Sequence, residues 1–138
     1  MRDEPMKVFI DTNVLILAAL SQDGVPFAAY VKASSKPNRA VICDQNIDEV
    51  QRVFQKKFPS KIAAVQEFFA YALKEIELVA VPSDEVASER LVRDSADRMI
   101  LRAALRAGAD VLLTGDKDLL DAGIMHPAVM TPREFLQY

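Results

Sequence analysis

Short apolar runs, each too brief for a stable helix, alternate along this chain with longer stretches of helical period. Residues 7–11, 40–43, 77–81 and 110–114 read as strands, and 128–130 as a short fifth. Residues 14–20 are apolar on most faces and read as a buried helix. A second helix follows Pro26, from Phe27 to about Ser34. Ile47, Val50, Val53, Phe54 and Phe58 recur at helical spacing, with Asp44 the expected N-cap. Ile62, Val65, Phe68, Phe69, Ala72 and Leu73 repeat the pattern. Residues 95–107 form a further helix that Gly108 stops, and short helices follow near Leu119-Leu120 and from Pro132 to Leu136. Residues 83–94 are polar and show no period. This alternation makes βαβ units, and therefore a parallel sheet with helices on both faces. The expected fold is one three-layer α/β/α domain with a mainly parallel sheet of four to five strands. It spans residues 7–138 behind an N-terminal extension over residues 1–6.

Composition narrows what such a domain can do. The chain has 138 residues, with 17 Lys+Arg against 20 Asp+Glu and a net charge of −3. That balance argues against holding nucleic acid by bulk charge alone, though not against local basic patches. The single Cys43 excludes an intramolecular disulfide and fits a reducing compartment, so a cytoplasmic location is expected. No apolar run approaches the roughly 20 residues of a bilayer span, and residues 1–7 lack the apolar stretch of a secretory signal.

The chemistry points to carboxylates. Open parallel sheets bind ligands at the carboxyl ends of their strands. Asp11 ends the first strand within Asp11-Thr12-Asn13, and Asp116 follows the fourth within Thr114-Gly115-Asp116-Lys117-Asp118. Asp97 lies in the first turn of the long helix, in line with Ile100, Leu101, Ala104 and Leu105. A carboxylate on a buried stripe is costly unless something pairs it. Asp48 and Glu49 flank the stripe of the helix after strand two, and helical geometry alone leaves open which one turns inward. Three or four acids at one rim repel one another, and a hard divalent cation such as Mg²⁺ or Mn²⁺ resolves that repulsion. His126 and Cys43 cannot make a zinc set. The chain has no nucleophile elbow, no P-loop and no dinucleotide-binding glycine pattern. Plainer roles stand beside these: Asp11 and Asp116 as helix caps, and Asp94-Ser95-Ala96-Asp97 as a capping box.

Two segments resemble a known family. Val8-Phe9-Ile10-Asp11-Thr12-Asn13-Val14-Leu15 is similar to the opening strand of PIN domains. Arg93-Asp94-Ser95-Ala96-Asp97-Arg98-Met99-Ile100-Leu101, with the block from Ala107 to Leu120, resembles their C-terminal half. The similarity runs in order from about residue 7 to 135 and is nearest to the VapC-like ribonuclease toxins of toxin–antitoxin systems. The resemblance implies an α/β/α nuclease that cuts RNA with Mg²⁺ or Mn²⁺. It matches the family's four acids to Asp11, Glu49, Asp97 and Asp116. Asp118 becomes a fifth acid or a support, and Asn13 and Thr114 become polar groups that orient the carboxylates. One departure is Cys43-Asp44-Gln45-Asn46, where relatives carry a small hydroxyl residue ahead of the helix. The resemblance also implies an RNA substrate, an antitoxin partner and products with 5′-phosphate and 3′-hydroxyl ends. A homodimer is expected from the apolar helices at 14–20 and 62–73.

Substrate contact needs positive charge beside an acidic pit. Arg98, Arg102 and Arg106 recur every four residues, and Lys117 neighbours Asp116; all four are candidate RNA contacts, against the plainer reading of a solvated helix face. Two other functions compete. A haloacid-dehalogenase-like phosphatase also places an acid after strand one, but needs a second acid where this chain has Asn13. A PIN-like scaffold could bind RNA or protein without cutting, yet has no physical need for four acids at one rim.

Overall fold

In the computed structural model, which describes residues 4–138, β1 (Lys7–Ile10) lies at the centre of a five-stranded sheet. β2 (Arg39–Cys43) and β3 (Glu77–Val79) lie on one side, β4 (Val111–Leu113) and β5 (Ala128–Met130) on the other, in the order β3-β2-β1-β4-β5. Every pairing is parallel, with Phe9 in register with Val41 and Leu112. Side chains alternate across a strand. Val8, Ile10, Ala40, Ile42, Val111 and Leu113 therefore enter one core, and Phe9, Val41, Cys43 and Leu112 the other.

The first core is covered by α1 (Thr12–Leu20), α2 (Val25–Ser34), α3 (Asp44–Lys57), α4 (Ile62–Ala72) and α7 (Pro132–Gln137). The second is covered by α5 (Ser95–Arg106) and α6 (Lys117–Leu120). The result is a three-layer α/β/α domain, and the sheet resolves to five strands. Residues 1–3 of the expected extension lie outside the described residues. Met6 is not an appendage: its side chain is buried in the first core, and its carbonyl accepts from Arg39 N at 2.9 Å.

Local chemistry sets the element ends. α5 closes with Gly108 at φ +74°, while Gly108 N donates to Leu105 O and Ala109 N to Ala104 O. That double bond pattern needs a left-handed residue, which glycine adopts without steric cost. Asp44 is not the cap of α3 but its first residue. Cys43 holds the cap position in extended backbone, and its N–H donates to Asn46 Oδ1 at 2.8 Å. Asp44 Oδ1 instead accepts from Gln45 N and Val81 N, tying α3 to the chain beyond β3.

The periodless stretch 83–94 folds through tertiary bonds. It contains a 3-10 turn, Ala87–Leu91, whose Glu89 is buried. Arg102 of α5 grips that carboxylate with Nε at 3.0 Å and Nη2 at 2.8 Å, and its Nη1 donates to Pro82 O. Arg98 Nε donates to Val92 O one turn away. Two arginines thus stitch a polar segment onto one helix. Among the described residues no single helix is long and apolar enough to cross a membrane.

Candidate active site

The chain connects β1 to neighbours on both sides, so the loops beyond the carboxyl ends of β1 and β4 diverge and leave a crevice. Asp11 follows β1 there, and Thr114, Gly115 and Asp116 follow β4. The Asp11 N–H donates to Leu113 O at 2.9 Å, so the first acid is locked to the neighbouring strand.

Asp11 is buried and serves two masters. Its Oδ1 caps α1 by accepting from Thr12 N at 2.8 Å. Its Oδ2 accepts from the Thr114 hydroxyl at 2.7 Å, with Asn13 Nδ2 at 3.5 Å. Thr114 Oγ1 in turn accepts from Asp116 N at 3.0 Å, so one hydroxyl bridges the two acid-bearing loops. Asn13 Oδ1 accepts from Gly115 N at 3.1 Å and closes the same junction from the other side. Burial pushes the Asp11 carboxyl up from 3.8 to about 6 despite these donors, with the charges of Glu49 and Asp116 adding to it.

Asp97, Asp116 and Asp118 each bring one carboxylate oxygen within 4.8 Å of the others. Asp116 caps α6 through Asp118 N at 2.9 Å, and that turn is what swings Asp118 back toward the cluster. Asp94 caps α5, accepting from Ala96 N and Asp97 N. Only this half of the expected capping box forms among the described residues, so capping does not account for the Asp97 carboxyl. Burial, followed by the facing charge of Asp116 and the nearby Asp11, raises it to about 8. Glu49 turns inward from α3 while Asp48 is exposed, which resolves the choice that helical spacing left open. Its Oε1 is buried without a hydrogen-bond partner among the described residues, and burial raises its pKa, eased by Gln45 and Thr12. Asn46 Nδ2 donates to Thr12 Oγ1 at 2.9 Å and holds the starts of α3 and α1 together beneath this acid.

The basic row fares differently. Arg102 is engaged by Glu89, and the Arg98 Nε by Val92 O. Arg106 is exposed nine residues beyond Asp97, roughly 13 Å down the helix at about 1.5 Å per residue. Arg98 and Arg102 therefore stitch α5 to its neighbours, and the row leads away from the rim. Lys117 is exposed beside Asp116. A cation that spacing did not single out is Arg93, whose exposed Nη2 lies 3.1 Å from Asp118 Oδ1. No sequence signal pairs two residues 25 apart with α5 and β4 between them.

The donors fit a hard divalent cation. They are all oxygens: Asp97, Asp116 and Asp118 converge within 4.8 Å, while the expected ligands Asp11 and Glu49 stand outside that group, Glu49 close enough for its charge to raise the Asp11 pKa.

A parallel sheet with acids gathered at its switch point defines an α/β/α domain organised around an acidic crevice. A PIN-domain family model matches residues 7–118. The chain belongs to the PIN-domain family. No curated protein matches the sequence. Several solved structures share the fold. VapBC2 from Rickettsia felis, solved bound to a DNA fragment from its promoter, aligns with TM-score 0.66 and 16% identity over 91% of this chain and 98% of that one. PAE2754 from Pyrobaculum aerophilum aligns with TM-score 0.66 and 19% identity over 96% and 88%. VapC20 from Mycobacterium tuberculosis, a Sarcin-Ricin loop cleaving toxin, aligns with TM-score 0.60 and 17% identity over 86% and 96%. At these identities the likeness is one of fold.

Proposed function

We propose that this chain is a metal-dependent endoribonuclease and the toxin of a toxin–antitoxin pair. The observation that carries this reading is the convergence of Asp97, Asp116 and Asp118 beside the buried Asp11 and the half-buried Glu49, at the switch point of a PIN-domain sheet. Fold likeness to VapC proteins supports the toxin assignment. Asp11, Asp97 and Asp116 would hold Mg²⁺ or Mn²⁺, with Glu49 and Asp118 completing the donor set. When bound, such an ion activates water and offsets charge developing on a phosphodiester.

The chain's own residues prepare that chemistry. Thr114 and the Thr12 N–H fix both oxygens of Asp11. The Asp94 cap fixes the turn that presents Asp97. Asn13 braces Gly115 so that the Asp116 loop keeps its distance from β1. Lys117 and Arg93 supply positive charge at the rim for an incoming phosphodiester. Cleavage leaves 5′-phosphate and 3′-hydroxyl ends. The partners are RNA as substrate and a cognate antitoxin as inhibitor. A second copy of the chain covers the mixed concavity lined by α2 and α4, where Phe27, Phe68 and Tyr71 sit among polar residues and Tyr71 is 67% exposed. The chain works in the cytoplasm, without a membrane.

The test is RNA cleavage by the purified full chain with Mg²⁺, with Mn²⁺ and with chelator. Wild type cuts with either ion and stops with chelator, while Asp11→Asn is folded and silent. Equal cutting by wild type and Asp11→Asn removes Asp11 from the site.

A further inference from the structure

A second concavity of about 570 Å³ adjoins the acidic crevice and shares its wall. Asn13 and Gly115 form that wall, joined by the 3.1 Å bond from Gly115 N to Asn13 Oδ1. Asn13 Nδ2 reaches Asp11 Oδ2 at 3.5 Å and Asp116 follows Gly115 in the chain, while neither acid is among the lining residues. Leu17, Val25 and Pro26 make an apolar side, with Leu17 51% exposed. Thr131, Pro132 and Arg133 complete the lining. The Arg133 side chain is exposed and has no hydrogen bond or ion pair among the described residues. α7, which carries it, is pinned: Lys32 Nζ donates to Phe135 O at 2.6 Å and lies 4.5 Å above the Phe135 ring.

We propose that this groove is a nucleotide subsite, holding the unit of the RNA strand next to the one at the acids. The inference rests on the nuclease reading of the acidic crevice. Three features select the occupant. The volume lies within the few hundred to about 1,000 Å³ usual for small-ligand sites, enough for one nucleotide. The apolar side offers a surface for a base or ribose face, where the described residues present no row of exposed rim aromatics to stack on. The free guanidinium has the fork geometry that grips a phosphate. An acidic rim repels a polyanion, so a strand reaching the crevice needs a cation outside it, and Arg133 is placed one wall away. The row on α5 does not reach this place.

The experiment uses the full chain carrying Asp11→Asn, so that RNA binds without being cut. Binding of a labelled short single-stranded RNA is followed by fluorescence anisotropy across a salt series, with Mn²⁺ present. Arg133→Ala weakens binding by about fivefold to tenfold and reduces the magnitude of the log–log salt slope by about 0.7, one single-strand phosphate contact. Leu17→Ser weakens binding by about threefold to tenfold with the slope unchanged. Both residues are exposed, so the variants keep their fold, which circular dichroism verifies. Arg106→Ala, at the far end of α5, leaves binding unchanged. If affinity ignores both Arg133→Ala and Leu17→Ser, the groove is no RNA subsite and is left to a protein partner. If wild type fails to cut RNA with either metal while binding still depends on Arg133, the nuclease reading falls and the groove stands.

Discussion

Thr114 shows how much one side chain does at this rim. Its hydroxyl donates to Asp11 and accepts from the backbone of Asp116, and it is fully buried. Thr114→Val keeps the volume and removes both bonds. Cleavage by that variant falls about 10- to 100-fold, the usual cost of losing a group that orients a metal ligand. Titrating Mn²⁺ against cleavage rate separates weaker metal affinity from a slower step. The acids differ in how clearly the sequence displayed them. Asp11, Asp97 and Asp116 stood out because each sits where a strand or helix end fixes its position. Asp118 is less legible, because its approach depends on the tight turn that Asp116 caps. Glu49 could not be separated from Asp48 by spacing, since both flank the stripe and only packing turns one inward. Arg93 was invisible as a site residue because nothing local marks its reach to Asp118.

At the scale of elements, α5 carries the consequences. Asp94→Ala removes two cap bonds and lowers stability by about 1 kcal/mol, read by chemical denaturation, and it loosens the turn that presents Asp97. Glu89→Gln leaves Arg102 facing a neutral amide in a buried setting. Its Tm falls by several degrees, and amide exchange quickens over residues 82–94 before the rest of the chain. The Arg102 side chain holds the Glu89 carboxyl below its usual range. Its contribution is therefore present above the unfolded value of about 4.5 and is lost as pH falls through the lower folded value. Most element types were readable in advance, because apolar runs and helical stripes are local signals. The stretch 83–94 was not, because its shape is imposed by arginines on another element. The cap of α3 lies one residue before the Asp44 that composition points to, since Asn46 satisfies Cys43 N from inside the helix and frees Asp44 for Val81.

Across the whole molecule, the parallel sheet and its two buried faces followed from runs of strand length alternating with helices. Strand order was not legible, because pairing across βαβ units is decided by packing and not by neighbours in sequence. That order is what places two acid loops side by side, and it carries a global cost. Asp11 and Asp97 keep their protons to higher pH folded than unfolded, up to about 6 and about 8 from 3.8. The folded chain therefore binds more protons over that window, and the metal-free protein loses stability as pH rises through it. Thermal melts with chelator show Tm declining from acid to mildly alkaline pH, and Mn²⁺ restores most at the alkaline end. A flat profile, or stabilisation by Mn²⁺ that is equal at both ends, contradicts shared occupation of the rim. Finally, Asp11 holds its helix through Oδ1, an oxygen that an amide also has, while Oδ2 carries the bond from Thr114 and the charge that serves the chemistry. Exchanging one oxygen for nitrogen thus yields a decoy, intact in outline and able to engage the same RNA without harming it.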